Sequence, residues 1–192
     1  MGKVEQFVMA YGVEHDRLRA IMPSGFQSLR PVIRINGEIR DKEELYVEVN
    51  VPMAVDGKRG WLNMAVLQGV SVTQDGNTTT FANDLLEISF TRVGIQGGCP
   101  AEKDNDGCFY LHGDERIFVP AEKIDSRKEF CDCSFRWHTE GGTSGKSTGE
   151  TLPAFPEEVT TQYAQEEFCI ANGSQIPCKA VLGAYVVEFE RW

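Results

Sequence analysis

The chain has 192 residues and a formal charge of −10, from 29 acidic and 19 basic side chains. An acidic surface repels polyanions, which excludes nucleic acid as a partner, but one arginine in a pocket can still outweigh that distant field for a small anion. The 41% hydrophobic content suits a single domain over residues 1–192. No stretch approaches the run of about 18 apolar residues that spans a membrane. The N-terminal MGKVEQFVMAYGVEH lacks the apolar centre of a signal peptide, so a cytoplasmic protein with no membrane partner is expected.

In chain order, residues 4–11 read as a strand. Residues 14–22 (EHDRLRAIM) read as a short helix, with Leu18, Ile21 and Met22 at helical spacing and Pro23 to stop it. Residues 31–40 alternate: Val32, Arg34, Asn36 and Glu38 share one face, and Ile33, Ile35 and Ile39 share the other. Arg17, Arg19, Arg30, Arg34 and Arg40 cluster here and are the obvious suppliers of a pocket charge. The stretch YVEVNVPMAVDGKRGWLNMAVL (46–67) predicts a hairpin turning at residues 56–60. Val47, Val49, Val51 and Met53 alternate with Tyr46, Glu48, Asn50 and Pro52, so Glu48 lies on the face opposite the valines. A carboxylate there either meets solvent or is held inside a pocket.

Residues 70–90 predict a strand, a turn at Gly76-Asn77, and a further strand or short helix ending in LLEISF. Residues 94–107 read as a loop, 108–111 and 116–119 as a second hairpin, and 130–138 as a strand. Residues 140–151 read as an exposed loop. Their GGTSGKST lacks the first glycine, the preceding apolar strand and the following helix of a phosphate loop. Residues 156–165 open with Pro and two Glu and predict a helix, followed by strands at 168–170 and 176–190. The fold class that follows is mostly β: an antiparallel barrel or sandwich of about nine or ten strands with a few short peripheral helices.

Six cysteines stand at 99, 108, 131, 133, 169 and 178. Without secretion they read as free thiols. Cys131-Asp132-Cys133 with His138 and His112 is the nearest approach to a metal motif. Buried thiols are the simpler reading, and neither metal nor cofactor is expected.

Residues 11–67 resemble the N-terminal half of the acetoacetate decarboxylase family. The resemblance rests on a tyrosine-ended strand, DRLRAIMP (16–23), RPVIRIN (30–36), Tyr46-x-Glu48 and VPMAVDGKRGWLNMAVL (51–67). It implies an antiparallel β-barrel around a small-molecule pocket, assembly into a homo-oligomer, and carbon–carbon lyase chemistry on a small keto acid. In that chemistry a pocket lysine condenses with the ketone and accepts the electrons released as CO₂ leaves, its amine freed by a neighbouring cation. The family's signature is two adjacent lysines after a proline. Here Ala101 and Glu102 follow Pro100, and Ala121 and Glu122 follow Pro120, leaving only Lys103 and Lys123 nearby. Either lysine would have a glutamate as its neighbour, which works against a free amine. Asn36 stands where the family has an acidic residue, and Glu48 survives.

Three readings stay open: a decarboxylase using Lys103 or Lys123; an acid–base enzyme using Glu48; and a barrel that binds a small keto or hydroxy acid without chemistry. The candidate catalytic residues are Glu48, Lys103 and Lys123. The candidate substrate-binding residues are Arg34, Asn36, Tyr46 and Arg30.

Overall fold

A computed structural model describes residues 2–97, 107–148, 152–159 and 165–191. Thirteen strands and two short helices make up the regular structure of these described residues. Strands β1 (Gly2–Gly12), β3 (Val32–Arg40), β4 (Glu44–Val55) and β5 (Lys58–Val66) carry the N-terminal half, with helix α1 (His15–Arg19) and the two-residue β2 (Gln27–Ser28) between β1 and β3. Then follow β6 (Ser71–Asp75), β7 (Thr78–Ala82), β8 (Leu86–Gln96), β9 (Gly107–His112), β10 (Glu115–Pro120), β11 (Glu129–Trp137), β12 (Ser144–Thr148), α2 (Ile170–Gly173) and β13 (Ala180–Arg191). Among the described residues no helix is long and apolar enough to cross a membrane.

All thirteen strands belong to one sheet, in the order β10-β9-β5-β4-β3-β1-β13-β11-β8-β7-β6, with β12 on β11 and β2 on β4. Pairing is antiparallel except between β5 and β9, which run parallel. The expected β content and predominantly antiparallel pairing are present. The expected closure is not seen among the described pairings, whose path has two free ends at β10 and β6. The sheet instead folds over upon itself. Phe7 on β1 lies 5.4 Å from Phe81 on β7 and 5.3 Å from Phe90 on β8. A flat sheet would hold β1 and β7, four places apart in that order, about 19 Å from each other.

The alternation in β4 explains how one strand serves two environments. Val47, Val49, Val51 and Met53 enter the main core with Phe7, Ile33 and Ile35. Tyr46, Glu48 and Asn50 are left on the opposite face. The hairpin turn is tighter than residues 56–60: Asp56 and Gly57 alone close it, with φ of 52° and 73°. Positive φ at both central residues is what a two-residue hairpin needs to match strand twist.

Four expected elements differ. The segment 140–151 is not loop throughout, because β12 pairs with β11 from Asp132↔Thr148 to Arg136↔Ser144. Its glycine, a loop signal in the sequence, is there for close approach. A Cβ on Gly145 would come within 2.9 Å of Cys178 Sγ and 3.0 Å of Phe135. Residues 156–159 are not helical. The backbone N–H of Glu158 goes to Leu29 O at 2.7 Å and that of Leu152 to Leu182 O at 3.1 Å, so the segment is tied across the sheet. The strand expected at 168–170 gives way to α2, whose first turn is closed by Asn172 Oδ1 accepting from the Cys169 N–H at 2.9 Å. The first helix is shorter than expected and ends at Arg19.

Candidate functional site

The face of β3 and β4 turned away from the main core is polar and buried. Arg34, Asn36, Glu38 and Arg40 follow each other at alternate positions on β3. On β4 they meet Asn50, Glu48, Tyr46 and Glu44 in antiparallel register. Of these, Arg34, Asn36, Glu38, Arg40, Tyr46 and Glu48 line a cavity of about 240 Å³, together with the β9–β10 hairpin and the segment that follows it.

Glu48 is 3% exposed. Its Oε1 accepts from Asn36 Nδ2 at 3.1 Å and Asn50 Nδ2 at 3.0 Å. Its Oε2 accepts from the Tyr46 hydroxyl at 2.8 Å and Asn63 Nδ2 at 3.0 Å. A carboxylate has about four lone-pair positions, so neutral donors fill it. The Arg34 guanidinium stands 3.8 Å from Oε1, in ion-pair range but beyond a hydrogen bond. Arg34 stacks on Trp61, its Cζ 4.3 Å from the ring centroid, and its Nε is buried without a hydrogen-bond partner. Burial, and then the charge of Glu48, raise the pKa of Tyr46, so its phenol stays a donor.

A second acid organises the far side of the cavity. Glu38, 2% exposed, takes a two-pronged contact from Arg191 at 2.9 and 3.0 Å. It also accepts from Arg40 Nε at 2.7 Å and from Gln6 Nε2 at 3.0 Å. Burial alone would raise its pKa, but the Arg191 and Arg40 contacts outweigh this and hold it below the ordinary value. Arg191 also grips Glu122 at 2.6 Å, which fastens residues 119–124 over the cavity. Burial pushes the Cys108 thiol up against the opposing pull of Arg34.

The structure therefore brings together Glu48, Arg34, Asn36 and Tyr46, four of the residues singled out in the sequence. Arg30 is not on the cavity wall; it is buried on Trp61, its Cζ 5.8 Å from the ring. Lys123 is directed away, its side chain 88% exposed and its Nζ 3.9 Å from Asp125. Lys103 lies outside the described residues. Among the described residues no lysine lines the cavity. Cys131 and Cys133 are both buried on the core side of β11, burial pushing Cys131 up to about 12. Among the described residues no group of three His, Cys, Asp or Glu could hold a metal.

Sequence reasoning missed Asn63, Asn50, Glu38, Arg191, Cys108 and Tyr110, whereas Arg40, named among the suppliers of a pocket charge, does line the cavity. A signal existed for one pair. A two-residue turn at Asp56-Gly57 sets Val55 opposite Lys58, and counting back places Asn50 opposite Asn63. Nothing local announces Arg191, which is 153 residues from Glu38.

No protein-family model and no curated protein matches the sequence. Solved structures do match. A crystal structure of acetoacetate decarboxylase from Legionella pneumophila superposes with a TM-score of 0.56 at 12% identity, covering 97% of this chain and 82% of that one. This is the acetoacetate decarboxylase-like fold. A second acetoacetate decarboxylase gives a TM-score of 0.51 at 13% identity, covering 97% of this chain and 84% of the other. The enduracididine biosynthesis enzyme MppR, complexed with pyruvate, gives 0.53 at 9% identity over 97% and 84%.

Proposed function

We propose that this acetoacetate decarboxylase-like chain binds a small carboxylic acid of the keto or hydroxy class, with Arg34 receiving the carboxylate. The observation that carries the proposal is the state of Arg34. Its guanidinium is buried, held flat by Trp61, and keeps a partnerless Nε, while the neighbouring Glu48 is already filled by neutral donors. A planar fork of donors fixed in this way suits a carboxylate. The size agrees: about 240 Å³ is below the roughly 300–1,000 Å³ of drug-sized sites. The complex of MppR with pyruvate on the same fold points in the same direction.

Glu48 acts here by position. It turns Asn36, Asn50, Asn63 and Tyr46 into a fixed polar wall and balances the charge of Arg34. Schiff-base lyase chemistry would have to come from Lys103, four residues before the cavity-lining Gly107. Homo-oligomer assembly remains part of this proposal on the strength of the family resemblance.

Two measurements test the proposal. Thermal unfolding should shift upward with pyruvate, lactate, acetoacetate or 3-hydroxybutyrate, by RT ln(1 + [L]/Kd) in stability. The shift should vanish in Arg34→Gln and largely vanish in Arg34→Lys, which keeps the charge but loses the fork. A shift unaltered by both substitutions refutes the assignment. Borohydride reduction with acetoacetate, followed by peptide mass mapping, tests the lysine. A reduced adduct on Lys103 establishes the lyase route, and an unlabelled chain removes it.

A further inference from the structure

Asn36 has two amide atoms with different fates. Its Nδ2 donates to Glu48 Oε1 at 3.1 Å. A carboxylate can only accept, so the amide cannot be turned over without setting Oδ1 against Glu48. Oδ1 is thereby fixed as the atom pointing elsewhere, and it is buried without a hydrogen-bond partner. Asn36 lines the cavity, as does Arg34 two positions earlier on the same face of β3. Arg34 carries the complementary orphan, its buried Nε. Alternate residues on a strand are about 7 Å apart at Cα, within the span of a molecule that fits the cavity.

We infer that the acid bound here carries a hydroxyl: the site selects a small hydroxy acid over the corresponding keto acid, and Asn36 Oδ1 is the group that selects it. The inference rests on the acid-binding reading above and narrows its ligand class. A hydroxyl beside the carboxylate donates to Asn36 Oδ1 while the carboxylate accepts from Arg34, so both orphan atoms are satisfied. A keto oxygen is an acceptor only. Facing Asn36 Oδ1 it leaves that atom unpaired and opposes its lone pairs, which is how a polar site rejects an analogue lacking the expected proton. An ammonium is a poorer fit than a hydroxyl. The neighbouring Glu48 carboxylate, its natural partner, has its lone pairs occupied by Asn36, Asn50, Asn63 and Tyr46.

Isothermal titration of the full chain with matched acids tests this at fixed pH and ionic strength. The sets are lactate, pyruvate and alanine, and 3-hydroxybutyrate and acetoacetate. The hydroxy member should bind at least about tenfold tighter than its keto partner in at least one set, and lactate tighter than alanine. In Asn36→Ala, checked for folding by circular dichroism, the hydroxy-to-keto ratio should fall to about one. Equal or tighter binding of the keto members in both sets, abolished by Arg34→Gln, overturns the inference and leaves the acid-binding reading standing. The inference is overturned in the same way if alanine outbinds lactate or if Asn36→Ala keeps the hydroxy preference. Absence of any binding dependent on Arg34 overturns both.

Discussion

Replacing Arg191 with Met should destabilise the protein by roughly 1–3 kcal/mol at neutral pH and should matter little in acid. Glu38 is 2% exposed and depends on Arg191 for two of its four hydrogen bonds, the others coming from Arg40 and Gln6. Removing one partner of a buried ion pair costs about 3–5 kcal/mol, because the other charge is stranded. Two features reduce that figure here. The Arg191 side chain is 33% exposed, so solvent screens its charge, and Arg40 remains on the carboxylate. Methionine keeps the apolar stem, so the change is chiefly electrostatic. The pH dependence supplies the check. Glu38 is held below its ordinary value in the folded state, so its contribution is present above the unfolded value of about 4.3 and is lost as pH falls through the folded value. Urea denaturation of wild type and Arg191→Met at several pH values between neutral and strongly acid would measure this. The gap between the two should be greatest near neutrality, begin to shrink below the unfolded value of about 4.3, and close only in stronger acid, once pH has fallen through the folded value. A gap absent at neutral pH, or one that widens in acid, would refute the reasoning.

Two further outcomes follow from the backbone and the thiols. Gly57→Ala should cost about 1 kcal/mol in thermal unfolding, because φ is +73° there and no neighbour lies within 4 Å to add a steric cost; unchanged stability would contradict the tight turn. Among the described cysteines, exposed Cys169 should react with a disulfide reagent in the native protein, whereas Cys131 and Cys133 should react only after denaturation. Peptide mapping of native label on Cys131, whose thiol burial pushes up to about 12, would contradict its place in the core.

The sequence carried the cavity wall where local pattern and burial coincide. Period-2 alternation in residues 31–40 and 46–53 separated the core face from the polar face, and that polar face is the cavity wall. Glu48, Arg34, Asn36 and Tyr46 were therefore legible as a set. What failed was whatever depends on distant chain. Arg30 carries the same charge as Arg34 but precedes β3, outside the alternation, and Trp61 covers it rather than opening it to the cavity. Lys123 sits between cavity-lining Glu122 and Ile124, yet its side chain points to solvent. Residues 144–148 looked like loop because Gly145 is a turn signal in isolation, and only the approach of Cys178 and Phe135 reveals its packing role. Residues 156–159 carried helix-start chemistry, but their backbone is claimed by Leu29 and their Glu158 side chain by His15. In each of these failures except Lys123, a tertiary partner far along the chain overrode a local preference.

Glu48 is, by its sequence position, a candidate acid or base, and its surroundings argue for a different result on substitution. Acid–base work needs a lone pair or proton free to meet substrate. Both Glu48 oxygens are taken by donors whose geometry is good, at 2.8 to 3.1 Å. Glu48→Gln replaces one acceptor oxygen with an NH₂ group. If that group takes the Oε1 position, it confronts the Asn36 and Asn50 amides, which must turn over or lose their bonds. If it takes the Oε2 position, the Tyr46 hydroxyl can rotate to accept, but Asn63 must turn over. Either arrangement leaves at least one buried polar group strained or unpaired, a cost of about 1–3 kcal/mol. A turned Asn36 would also present a donor where Oδ1 now stands. Glu48→Gln should therefore lose stability and, by the hydroxy-acid reading, shift preference toward the keto member of each acid pair. A residue that only moves protons would instead lose turnover with stability and ligand preference intact. Denaturation and titration on this one variant separate the two roles.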